Sequence, residues 1–164
     1  MAAGGTAVPR RPRASSGPAP AGASLRKIPD ASVDFVWSNA VYEHVRLREI
    51  EELRRELRRV LRPDGVCSHT INLKDHLGGG ANHLRFETSF WESPRVASAG
   101  VDTNRLRAWQ LIALFERSGF RVEMVGERRW DEDPIARARL AAPFRECPPD
   151  DLLISDLDLI LHPA

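Results

Sequence analysis

Three side chains able to move a proton near neutral pH stand out by position: His44, Asp75 and His76. Histidine is the side chain whose ordinary pKa places its charge change between about pH 5 and 8. A carboxylate one residue away can share or orient the proton. His44 opens a helical stretch just after a strand-like run, and Asp75 and His76 follow the next strand-like run. Positions beyond strand ends suit a general base; a helix-end hydrogen bond for His44 and loop solvation for the other two are the plainer alternatives. A second group comprises Trp91, Asn104, Arg105 and Arg107, an aromatic wall with an amide and two guanidinium groups. Such a set can shape an acceptor pocket and grip a carboxylate or phosphate; loop packing and surface charge compete as its explanation. Cys67 and Cys147 lie far apart with no C-x-x-C spacing, so neither a zinc site nor a disulfide framework is indicated. They read as buried free thiols in a reducing cytosol.

These residues need elements to hold them. Val33, Phe35, Val36 and Trp37 are apolar almost without interruption, as in a strand buried on both faces of a parallel sheet. In Leu47 to Leu61, the residues Ile50, Leu53, Leu57, Val60 and Leu61 recur at helical spacing. Arg54, Arg55, Arg58 and Arg59 fall on the opposite side among Glu51, Glu52 and Glu56, which predicts a solvated face rather than a basic stripe for nucleic acid. Arg62-Pro63-Asp64-Gly65 ends that helix in a tight turn. Val66 to Leu73 reads as a strand, and Lys74 to about Leu106 as a loop-rich stretch with Gly78, Gly79 and Gly80 as a flexible loop. Arg107 to Ser118 is a second amphipathic helix closed by Gly119. Phe120 to Val125 is a strand, Gly126 to Asp151 a polar connection, and Leu157, Leu159 and Leu161 one face of a last strand. This order gives an α/β layer structure whose sheet is largely parallel, with the last strand free to run antiparallel.

The chain has 164 residues, a net charge of +1 and 42% hydrophobic residues, which fits one globular domain and gives no global field for nucleic acid or an acidic membrane surface. No apolar run approaches the roughly 20 residues that span a bilayer. Residues 1–24 are nearly all Ala, Gly, Pro, Ser and Arg and read as a disordered leader, with 25–164 as the folded domain. The leader's basic cluster can touch RNA or a phosphate, and a wrongly placed start would also explain such a composition.

Three pieces carry a resemblance. Ile28-Pro29-Asp30-Ala31-Ser32-Val33-Asp34-Phe35-Val36 is followed by Ser38-Asn39-Ala40-Val41-Tyr42-Glu43-His44-Val45; then come Glu56 to Gly65 (ELRRVLRPDG) and Ser118-Gly119-Phe120. In this order and spacing, about Ile28 to Pro163 resembles the C-terminal half of a class I S-adenosylmethionine (SAM)-dependent methyltransferase, close to the broad type-11 group. The resemblance implies a partial Rossmann-like sheet, strands equivalent to 4-5-7-6 with flanking helices, in a cytoplasmic protein. It implies SAM as cofactor, with Ser38, Asn39 and Ala40 matching positions that line its methionine portion; a polar strand end capping the next helix is the alternative. The stretch from Lys74 to Arg107 is similar to a bacterial subgroup acting on glycan or natural-product acceptors, so a small-molecule or glycan substrate is expected. The family's glycine-rich SAM loop and the acid for the ribose have no counterpart ahead of Ile28. The expected consequences are a free, doubly apolar edge at Val33 to Trp37, a poorly stable monomer with negligible SAM affinity, and a homodimer or a pairing with a full-length methyltransferase.

Overall fold

The computed structural model describes residues 22–101 and 103–164. Most of the expected leader lies outside the described residues; Gly22 to Ser24 form a turn into a short 3-10 segment, Leu25–Lys27.

The elements then run in the order β1 (Val33–Asn39), α1 (Leu47–Val60), β2 (Leu61–Asn72), α2 (Thr88–Trp91), α3 (Pro94–Ser98), α4 (Ala108–Glu116), β3 (Phe120–Arg129), α5 (Pro149–Leu152) and β4 (Ile154–Pro163). The four strands make one open sheet in the order β1-β2-β4-β3. β1 and β2 are parallel; β4 inserts antiparallel between β2 and β3. Counting β1 to β4 as strands 4, 5, 6 and 7 reproduces the expected 4-5-7-6 order.

Both long helices lie on one face of this sheet. Ile50, Leu53, Leu57 and Val60 of α1 and Leu111 and Phe115 of α4 are buried with Cys67, Ile71, Leu157, Leu159 and Leu161 of the strands. The opposite face of β1 is bare: Phe35 is 60% and Trp37 64% exposed. Strand β1 pairs only with β2, so its other edge is free among the described residues.

Several expectations require correction. The Arg62–Gly65 turn does not precede β2 but loops out within it, between the pairs Val33↔Leu61 and Phe35↔Val66. A side chain at Gly65 would come within 2.7 Å of Leu61 Cδ2 and 3.0 Å of the Val33 carbonyl oxygen, so glycine spares the Leu61 side chain and the β1 backbone a shift. The arginine face of α1 is not simply solvated. Arg54 is buried and donates to the Leu114 carbonyl and the Ser118 hydroxyl, tying α1 to α4, because the long stem reaches the free carbonyls at the end of α4. The stretches 74–106 and 126–151 are neither bare loop nor polar connection. Leu84, Ile135, Leu140, Phe144, Cys147 and Leu152 form a second apolar cluster between them. Cys67 and Cys147 are free and buried.

Candidate functional site

The candidate site is built at the carboxyl ends of β1 and β2, where ligands bind open α/β sheets. β1 ends in Ser38 and Asn39, and Ala40 follows. Ala40 takes φ 51, a left-handed conformation that costs a non-glycine residue about 1 kcal/mol or more, and its amide donates to the Thr70 carbonyl at 2.9 Å. The strand is thereby turned sharply outward into a 3-10 segment, Tyr42–His44.

That turn brings His44 beside His76, with ring centroids 4.9 Å apart and planes tilted by 59°. Both imidazoles are exposed. Two sequence candidates from different loops thus meet at one end of the sheet. Asp75 serves its own loop. It is buried, its Oδ1 accepts the Leu77 amide at 3.0 Å and its Oδ2 the Asn82 amide at 2.7 Å, while its own amide donates to Gly80 O at 2.7 Å. The glycine run lies inside this clasp, with Gly79 at φ 77 and no heavy atom near the Cβ positions of Gly78 and Gly79.

The four acceptor-pocket candidates are buried, and their polar groups are engaged within the protein. Trp91 Nε1 donates to Thr103 O at 2.8 Å. Asn104 Nδ2 donates to Tyr42 O at 2.8 Å and Val45 O at 3.1 Å, fastening the segment that carries His44. Arg105 donates to His83 O and Phe86 O, and its guanidinium lies over Trp91 and Phe144. Burial pulls it down to about 10. Arg107, 1% exposed, reaches Asp151, Leu73 O, Leu152 O and Ile154 O. These residues hold the insertion against the sheet and so fix the wall from which His44 and His76 project.

Two groups of consequence escaped the sequence reading. Glu43 is 3% exposed and neither carboxylate oxygen meets hydrogen-bond geometry. Burial pushes its carboxyl above the ordinary range, and the nearby backbone amides of Glu43 and Asn72 draw it only partway back. The signal was its place in the Tyr42-Glu43-His44 run directly after a strand. His69 is the other: Ser38 Oγ lies 2.7 Å from its Nδ1, its ring stacks on Phe115, and its Nε2 has no partner. Burial lowers it to about 4, so it is neutral at pH 7. Ser38 therefore shares its hydroxyl with His69. Nearby, Asp156 accepts Lys74 Nζ at 2.7 Å; burial pushes its carboxyl up, but hydrogen bonds from Lys74, Ser155 and Arg128 outweigh that and lower it.

The resemblance sets Ser38, Asn39 and Ala40 against one flank of SAM as an expectation, and no described glycine loop is placed there to cradle its amino-acid end. The one glycine run, Gly78 to Gly80, is held in the Asp75 clasp beyond β2. The residues present therefore do not by themselves fit the whole group. Among the described residues no group of three or more His, Cys, Asp or Glu is placed to hold a metal ion, and no helix is long and apolar enough to cross a membrane.

A family model described as a methyltransferase domain matches residues 13–68, less than half of the chain. The chain is similar to class I methyltransferases over that span. No curated protein matches. Among solved structures, a SAM-dependent methyltransferase from Archaeoglobus fulgidus is 14% identical, covering 86% of this chain and 63% of its own, with a TM-score of 0.47. An S-adenosylmethionine-dependent methyltransferase from Mesorhizobium loti is 15% identical, covering 82% and 64%, with a TM-score of 0.44. A complex between the Haloferax volcanii Trm112 methyltransferase activator and a protein assigned as a methyltransferase gives 17% identity, 83% and 56%, and 0.44. The chain thus spans 56% to 64% of the length of these three chains.

Proposed function

We propose that this chain forms the acceptor-side half of a SAM-dependent methyltransferase site, which in its complete fold methylates a small-molecule or glycan-type acceptor. The observation that carries the reading is the His44–His76 pair, held beyond the carboxyl ends of two parallel strands whose sheet has the order β1-β2-β4-β3. When bound, the cofactor supplies a methyl group on a sulfonium for in-line displacement. The chain's own residues do the rest of the positioning. Ala40 and Asn39 form a wall at the strand end, and Asn104 fixes the His44 segment through Tyr42 O and Val45 O. His44 and His76 are exposed imidazoles able to take the proton that an acceptor hydroxyl or amine loses. No step is assigned through a glycine cradle, since the described residues form none at the strand ends. The test is ultraviolet cross-linking of the chain with a large excess of methyl-labelled SAM, followed by peptide mapping. Label is expected on the peptide carrying Ser38 to Ala40; label confined to other segments sinks the reading.

A second reading is favoured by a separate observation, the exposure of Phe35 and Trp37 on the free edge strand. An edge that is apolar on its bare face pairs readily with another chain, which makes the chain a non-catalytic module in a homodimer or bound to a full-length methyltransferase. Two copies meeting antiparallel about Val36 would set Phe35 of each against Trp37 of the other. Size-exclusion chromatography with light scattering separates the readings: a sharp dimer favours this one, and a monomer or a broad aggregate removes the homodimer.

A further inference from the structure

We infer that the basin between the C-terminal ends of α1 and α4 binds a small molecule carrying two or more phosphate groups. The basin lies at the end of the sheet opposite the histidine pair and has a volume of about 500 Å³, the size of an ordinary small-ligand pocket. Arg55, Arg58, Arg59 and Arg117 line it, together with Asp30 and Glu51.

The pairing of charges decides what the basin can do. In sequence, the acids of α1 are interleaved with its arginines and balance them as a set. In three dimensions each acid has a specific partner: Glu49 with Arg48, Glu51 with Arg54, Glu52 with Arg26, and Glu56 with Arg59. Asp30 is also taken by Arg59. Arg55 and Arg117 are exposed and have no acceptor among the described residues. Arg58 gives Nε to Gly119 O at 3.2 Å and Nη2 to Ala164 O at 3.5 Å, which leaves its Nη1 uncommitted. Cations near a helix C-terminus offset the partial negative charge there, and Arg58 does so through a carbonyl. Arg55 and Arg117 contact no carbonyl, so capping does not use them.

Two open guanidinium forks, of Arg55 and Arg117, and the free Nη1 of Arg58 around one concavity match a ligand with several anionic oxygens, because a planar fork takes two phosphate oxygens at once. A single carboxylate would engage one of them. A nucleic acid is the poorer fit: the cations surround a basin rather than a stripe, and the net charge of +1 provides no long-range steering.

The test is calorimetric titration of the full chain with sodium tripolyphosphate at about 0.1 M ionic strength, where exposed charges further apart than about 10 Å are screened. The double variant Arg55→Gln/Arg117→Gln is compared with Arg95→Gln, which removes an exposed arginine on α3. Loss of charge-assisted bonds is expected to weaken binding at least about tenfold in the double variant, with Arg95→Gln unchanged. Circular dichroism checks the fold; should the double variant fail to fold, Arg117→Gln alone is expected to show a several-fold loss. Absence of saturable binding, equal affinity in all variants, or a short RNA binding more tightly than tripolyphosphate through the same arginines would each overturn the inference.

Discussion

Replacing Arg107 by methionine tests whether this residue is a scaffold pin or an acceptor contact. Its guanidinium is the meeting point of three elements: Leu73 O just beyond β2, Asp151 and Leu152 O in α5, and Ile154 O at the start of β4. Its partner Asp151 also accepts the Trp109 amide at 2.7 Å, which caps the first turn of α4. Both partners are buried, with side-chain exposures of 1% and 8%. Methionine fills similar volume but leaves the Asp151 charge and several carbonyls without their donor. Breaking a buried pair from one side costs about 3–5 kcal/mol, a large share of a total stability on the order of 5–15 kcal/mol. At roughly 2–4 °C per kcal/mol for a chain of this size, the melting temperature should fall by about 10 °C. Urea unfolding followed by circular dichroism measures the loss directly. A change under about 1 kcal/mol, the size expected of an exposed residue, would refute the pin and return Arg107 to the acceptor pocket.

Acidification should destabilise the fold. His69 and His83 are held at about 4 and about 3 by burial, against an ordinary 6.5. Between those values the unfolded chain binds protons that the folded chain does not, so stability is full above about pH 6.5 and falls as pH drops toward 4. At pH 5 each histidine accounts for roughly 2 kcal/mol; His69→Gln should flatten the slope between pH 6.5 and 4, and an unchanged slope counts against the burial. The thiols should be inert when folded, since burial pushes Cys67 up to about 12 and Cys147 to about 11. Ellman's reagent at pH 8 should label neither thiol until denaturant is added; rapid native labelling of either contradicts this. Phe35→Lys/Trp37→Lys should suppress self-association without loss of stability, because little of either ring is buried. Light scattering that shows unchanged aggregation would place the sticky surface elsewhere.

Much of the scaffold was legible because it is periodic. The apolar spacing of Ile50, Leu53, Leu57 and Val60, and the alternation of Leu157, Leu159 and Leu161, marked the buried faces of α1 and β4 directly. The antiparallel insertion of β4 followed from its coming after a strand, without a crossover helix. The second core was not legible. Leu140, Phe144 and Cys147 do fall at i, i+4, i+7, but Pro143, Pro148 and Pro149 break the run into short turns, and no period ties it to Leu84, Ile135 or Leu152. Side-chain roles were harder still. The pattern placed Arg105 in a loop and Arg107 at the start of the following helix, but whether a guanidinium faces solvent or a set of carbonyls depends on contacts tens of residues away. The meeting of His44 with His76 is of the same kind: each lies after a strand, yet their proximity rests on the parallel pairing of β1 with β2 and on the left-handed turn at Ala40.

Calorimetric titration of the purified chain with SAM bears most directly on the half-site. With only the proposed flank at Ser38 to Ala40 and no described glycine cradle, the chain alone should show no saturable binding tighter than about 1 mM, or some −4 kcal/mol. Micromolar affinity in a stable monomer would contradict it, because these residues would then be holding the entire cofactor unaided.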